Sequence, residues 1–91
     1  MVEIELPYPE SVEFVEACFE NLELQISMRA ELKTFPGSMH WHLKKPRQTG
    51  KLEVTLWPRE NRLWISYHDN RVGDGWVVQT ARELTGQLSE F

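Results

Sequence analysis

The sequence predicts an α+β domain built on an antiparallel meander of four strands, or five if the N-terminal strand joins it. Two helices pack on one face, and the element order is β-α-β-β-β-β-α. Apolar residues recur at every second position through the middle of the chain and at helical spacing on either side of it. The alternating runs are joined by connections too short for parallel crossovers. The 91 residues suit one core, so residues 1–91 are read as a single domain. An apolar content of 41% is enough to build that core, which argues against a disordered chain.

Val2, Ile4 and Leu6 alternate with Glu3 and Glu5, giving a short strand that Pro7 and Pro9 end. Its place is open, at an edge of the meander or in a partner subunit. Ser11 is positioned to cap a helix whose apolar stripe is Val12, Val15, Phe19 and Leu22, with Glu13 and Glu16 near its positive end. The period then changes to two, with Leu22, Leu24, Ile26, Met28, Ala30 and Leu32 forming one face. A straight strand from Leu22 to Phe35 would span about 45 Å. A compact domain of this length has a radius of gyration of only about 12 Å. The run must therefore contain a bulge or a bend, or the helix must continue past Asn21.

Phe35-Pro36-Gly37-Ser38 carries Pro then Gly at its centre, the pattern of a type II turn. Strands follow at Met39–Lys45, Lys51–Trp57 and Arg62–His68, separated by the Pro46–Gly50 loop and the turn Pro58–Asn61. The polar loop Asp69–Gly75 leads to a final helix, capped by Asp74 and striped by Val77, Thr80, Ala81, Leu84, Leu88 and Phe91. The face beneath the helices is expected to carry Leu24, Ile26, Met28, Met39, Trp41, Leu43, Leu52, Val54, Leu56, Leu63, Ile65 and Tyr67.

Alternation assigns Arg29, Glu31, Lys33, His40, His42, Lys44, Glu53, Thr55, Trp57, Arg62, Trp64, Ser66 and His68 to the other face. A tight first hairpin would set Glu31 opposite His42 and Lys33 opposite His40. Pairing Trp57 with Arg62 sets Thr55 opposite Trp64 and Glu53 opposite Ser66, and one register of the middle hairpin sets His42 opposite Glu53.

Several functions compete for this face. Trp57 and Trp64, with no helix left to cover them, favour a protein interface centred on His40, His42, Trp57 and Trp64 and including Arg62, Glu31 and Glu53. Two-fold homodimers are the commonest oligomers, so a homodimer or a contact with another protein is the preferred reading. The alternative is a metal- or small-ligand-binding enzyme domain using His40, His42 and Glu53, with His68 as a further candidate ligand. His-x-His sets two imidazoles on one side of a strand, and a nearby carboxylate could complete the set. Glutamates beside histidines also form plain ion pairs, so no metal, cofactor or catalytic residue is assigned. His-x-His followed by a glutamate resembles the cupins superficially. Their glycine spacing is absent and the chain is too short for their eight strands plus two helices, so nothing is carried over.

Lys44, Lys45, Arg47 and Lys51 surround one hairpin tip and offer a second alternative, contact with nucleic acid. The net charge of −4 and the lack of aromatics in that loop count against it. Cys18, alone and between glutamates, is expected to be a buried, inert thiol. No apolar run is long enough to span a membrane and the acidic start is unlike a secretory leader, so the expected location is cytoplasmic.

Overall fold

The computed structural model describes residues 1–68 and 75–89. Strand β1 (Val2–Leu6) leads to helix α1 (Val12–Asn21), and β2 (Gln25–Ala30), β3 (Met39–Lys44), β4 (Leu52–Trp57) and β5 (Arg62–Tyr67) follow before helix α2 (Gly75–Leu88). All five strands form one antiparallel sheet in the order β1-β5-β4-β3-β2. Strand β1 therefore takes the β5 edge in its own chain, with Ile4 opposite Ile65 and Glu5 opposite Trp64. The radius of gyration, 12.4 Å, is that of a compact chain of this length.

The helices form where capping and periodicity place them. The Ser11 hydroxyl accepts from the Phe14 N–H at 3.0 Å, satisfying one of the free donors at the start of α1. Val15, Cys18 and Phe19 of α1 and Val77, Thr80, Ala81, Leu84 and Leu88 of α2 are buried against the sheet. There they meet Leu43, Leu52, Val54, Leu63 and Ile65, all fully enclosed. Phe19 stands edge-on to Trp41 with ring centres 5.3 Å apart. The Trp41 indole N–H donates to Glu16 at 2.9 Å, so this enclosed ring keeps its polar end satisfied. Asp74 and Phe91 lie outside the described residues.

Strand β2 departs from the sequence expectation. The chain bends at Leu22–Leu24, with Glu23 in the left-handed region (φ 58°), and the strand occupies only Gln25–Ala30. Its register shifts between Ile26, opposite Leu43, and Met28, opposite His42. The extra residue, Ser27, donates its hydroxyl to the His42 carbonyl at 3.1 Å. One inserted residue reverses every side chain beyond it. Met28 therefore moves to the face without helices, while Arg29 points to the helix side and pairs with Glu16.

Beyond Ala30 the chain leaves the sheet. Ser38 Oγ accepts from the Leu32 N–H at 3.1 Å, and Glu31 accepts from the Gly37 N–H at 2.6 Å. The turn closes with Ser38 N–H to the Phe35 carbonyl at 3.0 Å and Gly37 at φ 82°, as the Pro-Gly pair requires. Glu31 and Lys33 consequently do not oppose His42 and His40; Met28 and Ala30 hold those places.

This connection also covers the tryptophans expected to be open. The Phe35 ring stands edge-on to Trp57 and Trp64, with centroids 4.8 and 5.2 Å away. The Trp57 indole N–H donates to the Pro36 carbonyl at 2.9 Å. Arg62 lies 4.4 Å above the Trp64 ring and is held there by Glu5, at 2.8 and 3.2 Å. Trp64 is left 6% exposed.

Candidate metal centre

On the face opposite the helices, backbone pairing builds two adjacent rows across the strands. One runs Met28, His42, Glu53, Ser66, Glu3, and the other Ala30, His40, Thr55, Trp64, Glu5. The registers of the middle and last hairpins agree with the sequence expectation: His42 opposes Glu53, Thr55 opposes Trp64 and Trp57 opposes Arg62. Glu53 thus faces His42 directly and His40 diagonally, both within reach of a glutamate.

The three side chains meet at one point. His40 Nε2 is 3.1 Å from Glu53 Oε1, His42 Nε2 is 3.3 Å from the same oxygen, and the two nitrogens are 3.2 Å apart. His40 is fixed from behind, its Nδ1 lying 2.7 Å from the Thr55 hydroxyl. His40 and Thr55 are buried, while the His42 and Glu53 side chains keep 21% and 16% of their surface. The site is therefore anchored on its inner side and open along the His42–Glu53 edge.

The triangle cannot be satisfied by protons while Glu53 is a carboxylate. Its oxygen only accepts, so each imidazole must turn an N–H toward it. Two N–H groups would then confront each other across the His40–His42 edge. Removing one proton repairs that edge but sets a lone pair against the carboxylate. A cation at the centre, taking a lone pair from all three atoms, satisfies every edge at once. The dimensions suit one, since donors around a tetrahedral zinc with bonds of about 2.0–2.1 Å stand about 3.3 Å apart. In that state each Nδ1 carries the ring proton, and His40 donates it to Thr55.

Electrostatics favours a neutral ring at His42. Burial, and then the positive charge of Lys51, hold His42 below its ordinary imidazole value and outweigh the opposing pull of Glu53. At neutral pH its ring is uncharged and has a lone pair to give.

His68, just beyond β5, is not part of the group. Glu31 is engaged in its own turn, and Trp57, Trp64 and Arg62 form the neighbouring aromatic cluster. Thr55 joins the site beyond the residues the sequence singles out, through the same register: the pairing of His42 with Glu53 also pairs His40 with Thr55. The basic tip carries Arg47 at φ 64° and borders an open surface groove of about 570 Å³, lined by Glu23, Gln25, Lys45, Pro46, Arg47 and Gln48. That lining holds no aromatic ring to stack a base. Trp76 is half-buried at the start of α2 and donates to the Thr49 carbonyl at 2.6 Å. No helix among the described residues is long and apolar enough to cross a membrane. Compared with family models, curated proteins and solved structures, the chain matches none.

Proposed function

We propose that this chain is a metal-binding domain that holds a divalent, zinc-type ion through His40 Nε2, His42 Nε2 and Glu53 Oε1. The observation that carries the reading is the triangle of three donor atoms 3.1–3.3 Å apart, which no proton arrangement around a carboxylate satisfies. Two nitrogens and one oxygen form a donor set of intermediate softness. It suits zinc and its neighbours better than magnesium or calcium, which prefer oxygen alone. Three protein ligands leave one position for water or substrate, the arrangement of a catalytic rather than a purely structural ion. Equilibrium dialysis against zinc tests it. One ion per chain should bind, and His42→Ala and Glu53→Gln should each weaken binding by more than the roughly 10–100-fold that supporting partners contribute. Failure to take up zinc, or uptake unchanged in both variants, would end this reading.

A protein contact is the second reading, and it now rests on β2 rather than on the tryptophans. Ile26 and Met28 are 41% and 38% exposed on an edge strand whose Gln25–Ala30 segment has neither proline nor lysine to deter pairing. A second copy, added antiparallel along this edge in a cytoplasmic homodimer, is the partner it supports. Light scattering across a concentration series should give twice the chain mass, reduced by Met28→Lys. A single-chain mass at every concentration would dismiss it.

A further inference from the structure

Resting on the metal reading above, we propose that the fourth coordination position takes a phosphate group, as inorganic phosphate or a phosphate monoester, with Lys44 and Lys51 holding its outer oxygens. The bound ion and Glu53 together leave one net positive charge at the triangle. The open side of the site is the His42–Glu53 edge, because His40 is closed off against Thr55. Lys44 lies two residues beyond His42 at the end of β3, and Lys51 two residues before Glu53, immediately ahead of β4. Alternation sets both on the same face as the ligands, about 6.5–7 Å along the strands, within the reach of a lysine side chain. The charge of Lys51 already acts on His42, which agrees with that placement.

Among the described residues these two ammonium groups are uncommitted. Glu16–Arg29, His40–Glu53, His42–Glu53 and Arg62–Glu5 are the ion pairs among the described residues, and neither lysine belongs to one. The row they extend ends on Gln25, opposite Lys44, which brings no negative charge. An open metal position beside these two lysines collects about three positive charges around one accessible point. A phosphate dianion matches that charge better than a carboxylate does, and it offers one oxygen to the ion and others to the lysines.

The test uses the full chain loaded with cobalt(II), a coloured substitute for zinc. Inorganic phosphate is titrated in at constant ionic strength while the visible spectrum is followed. A saturable change is expected with phosphate and not with acetate at the same concentration. In Lys44→Ala/Lys51→Ala the phosphate affinity should fall at least about tenfold, the low end for hydrogen bonds to charged groups, with cobalt still bound at least as tightly as in the parent. A cobalt spectrum that ignores phosphate, responds equally to acetate, or responds equally in the double variant overturns this inference and leaves the metal reading standing. Loss of colour through extraction of the ion by phosphate also overturns it. If no cobalt spectrum develops at any concentration, both readings fall.

Discussion

Replacing Thr55 by valine separates a metal ligand set from an ordinary buried network. The substitution nearly preserves shape, and valine is well suited to a strand. Thr55 is 1% exposed, so only its hydroxyl changes, and that hydroxyl lies 2.7 Å from His40 Nδ1. Two effects follow. In the metal-free protein a buried ring nitrogen loses its partner, which costs about 1–3 kcal/mol. For a domain of this size each kcal/mol lowers the melting temperature by about 4–8 °C. In the loaded protein the ring that donates one of three ligand atoms is no longer oriented, and zinc affinity should fall about 10–100-fold, or roughly 1.4–2.7 kcal/mol. The assay is a pair of urea titrations, with and without zinc, beside a competition for zinc against a chelator of known strength. If Thr55→Val unfolds at lower urea yet binds zinc as tightly as the parent, His40 is not held as a ligand and the reading of the triangle is refuted.

Other expectations follow from the same geometry. Phe35→Ala removes both edge-on contacts over Trp57 and Trp64, at about 1–3 kcal/mol, and should shift tryptophan emission toward the red; unchanged emission would mean that Phe35 does not cover these rings. Because folding lowers the proton affinity of His42 below its ordinary value of 6.5, the unfolded chain binds more protons just below that pH. Its contribution to stability is present above 6.5 and lost as the pH falls through the folded-state value. The urea midpoint should decline there, and less so in His42→Gln; equal slopes in parent and variant would contradict the assignment. Glu16→Ala frees the enclosed Trp41 N–H as well as Arg29, so it should cost about 1–3 kcal/mol, whereas Arg29→Ala, at an exposed ion pair, should cost under about 1 kcal/mol. Equal losses in the two variants would count against that division.

Much of this architecture was legible in the sequence because local chemistry agreed with long-range packing. The turn Pro58–Asn61 is short enough to leave one register, and it carried Thr55 to Trp64 and Glu53 to Ser66. Val15 and Phe19 of the α1 stripe and Val77, Thr80, Ala81, Leu84 and Leu88 of the α2 stripe are buried, and Ser11 caps where its position implied. Strand β2 resisted because alternation continues from Leu22 to Lys33 through a bend, a bulge at Ser27 and a turn, none of which changes the pattern. The bulge exchanged the faces of Met28 and Arg29 and removed Glu31 from the site. The covering of Trp64 was hidden for a related reason. Phe35 belongs to a connection whose path depends on the Leu32–Ser38 and Glu31–Gly37 hydrogen bonds rather than on any periodicity. His40, His42 and Glu53 could be gathered on one face from spacing alone. That three of their atoms converge to a single point, with Thr55 behind, required side-chain positions.

The most direct test of the metal reading is a crystal of the full chain grown with zinc and measured at the zinc absorption edge. The account predicts one anomalous peak per chain, about 2.0–2.1 Å from His40 Nε2, His42 Nε2 and Glu53 Oε1. A map with no peak inside that triangle, at zinc concentrations that saturate the protein in solution, would contradict it.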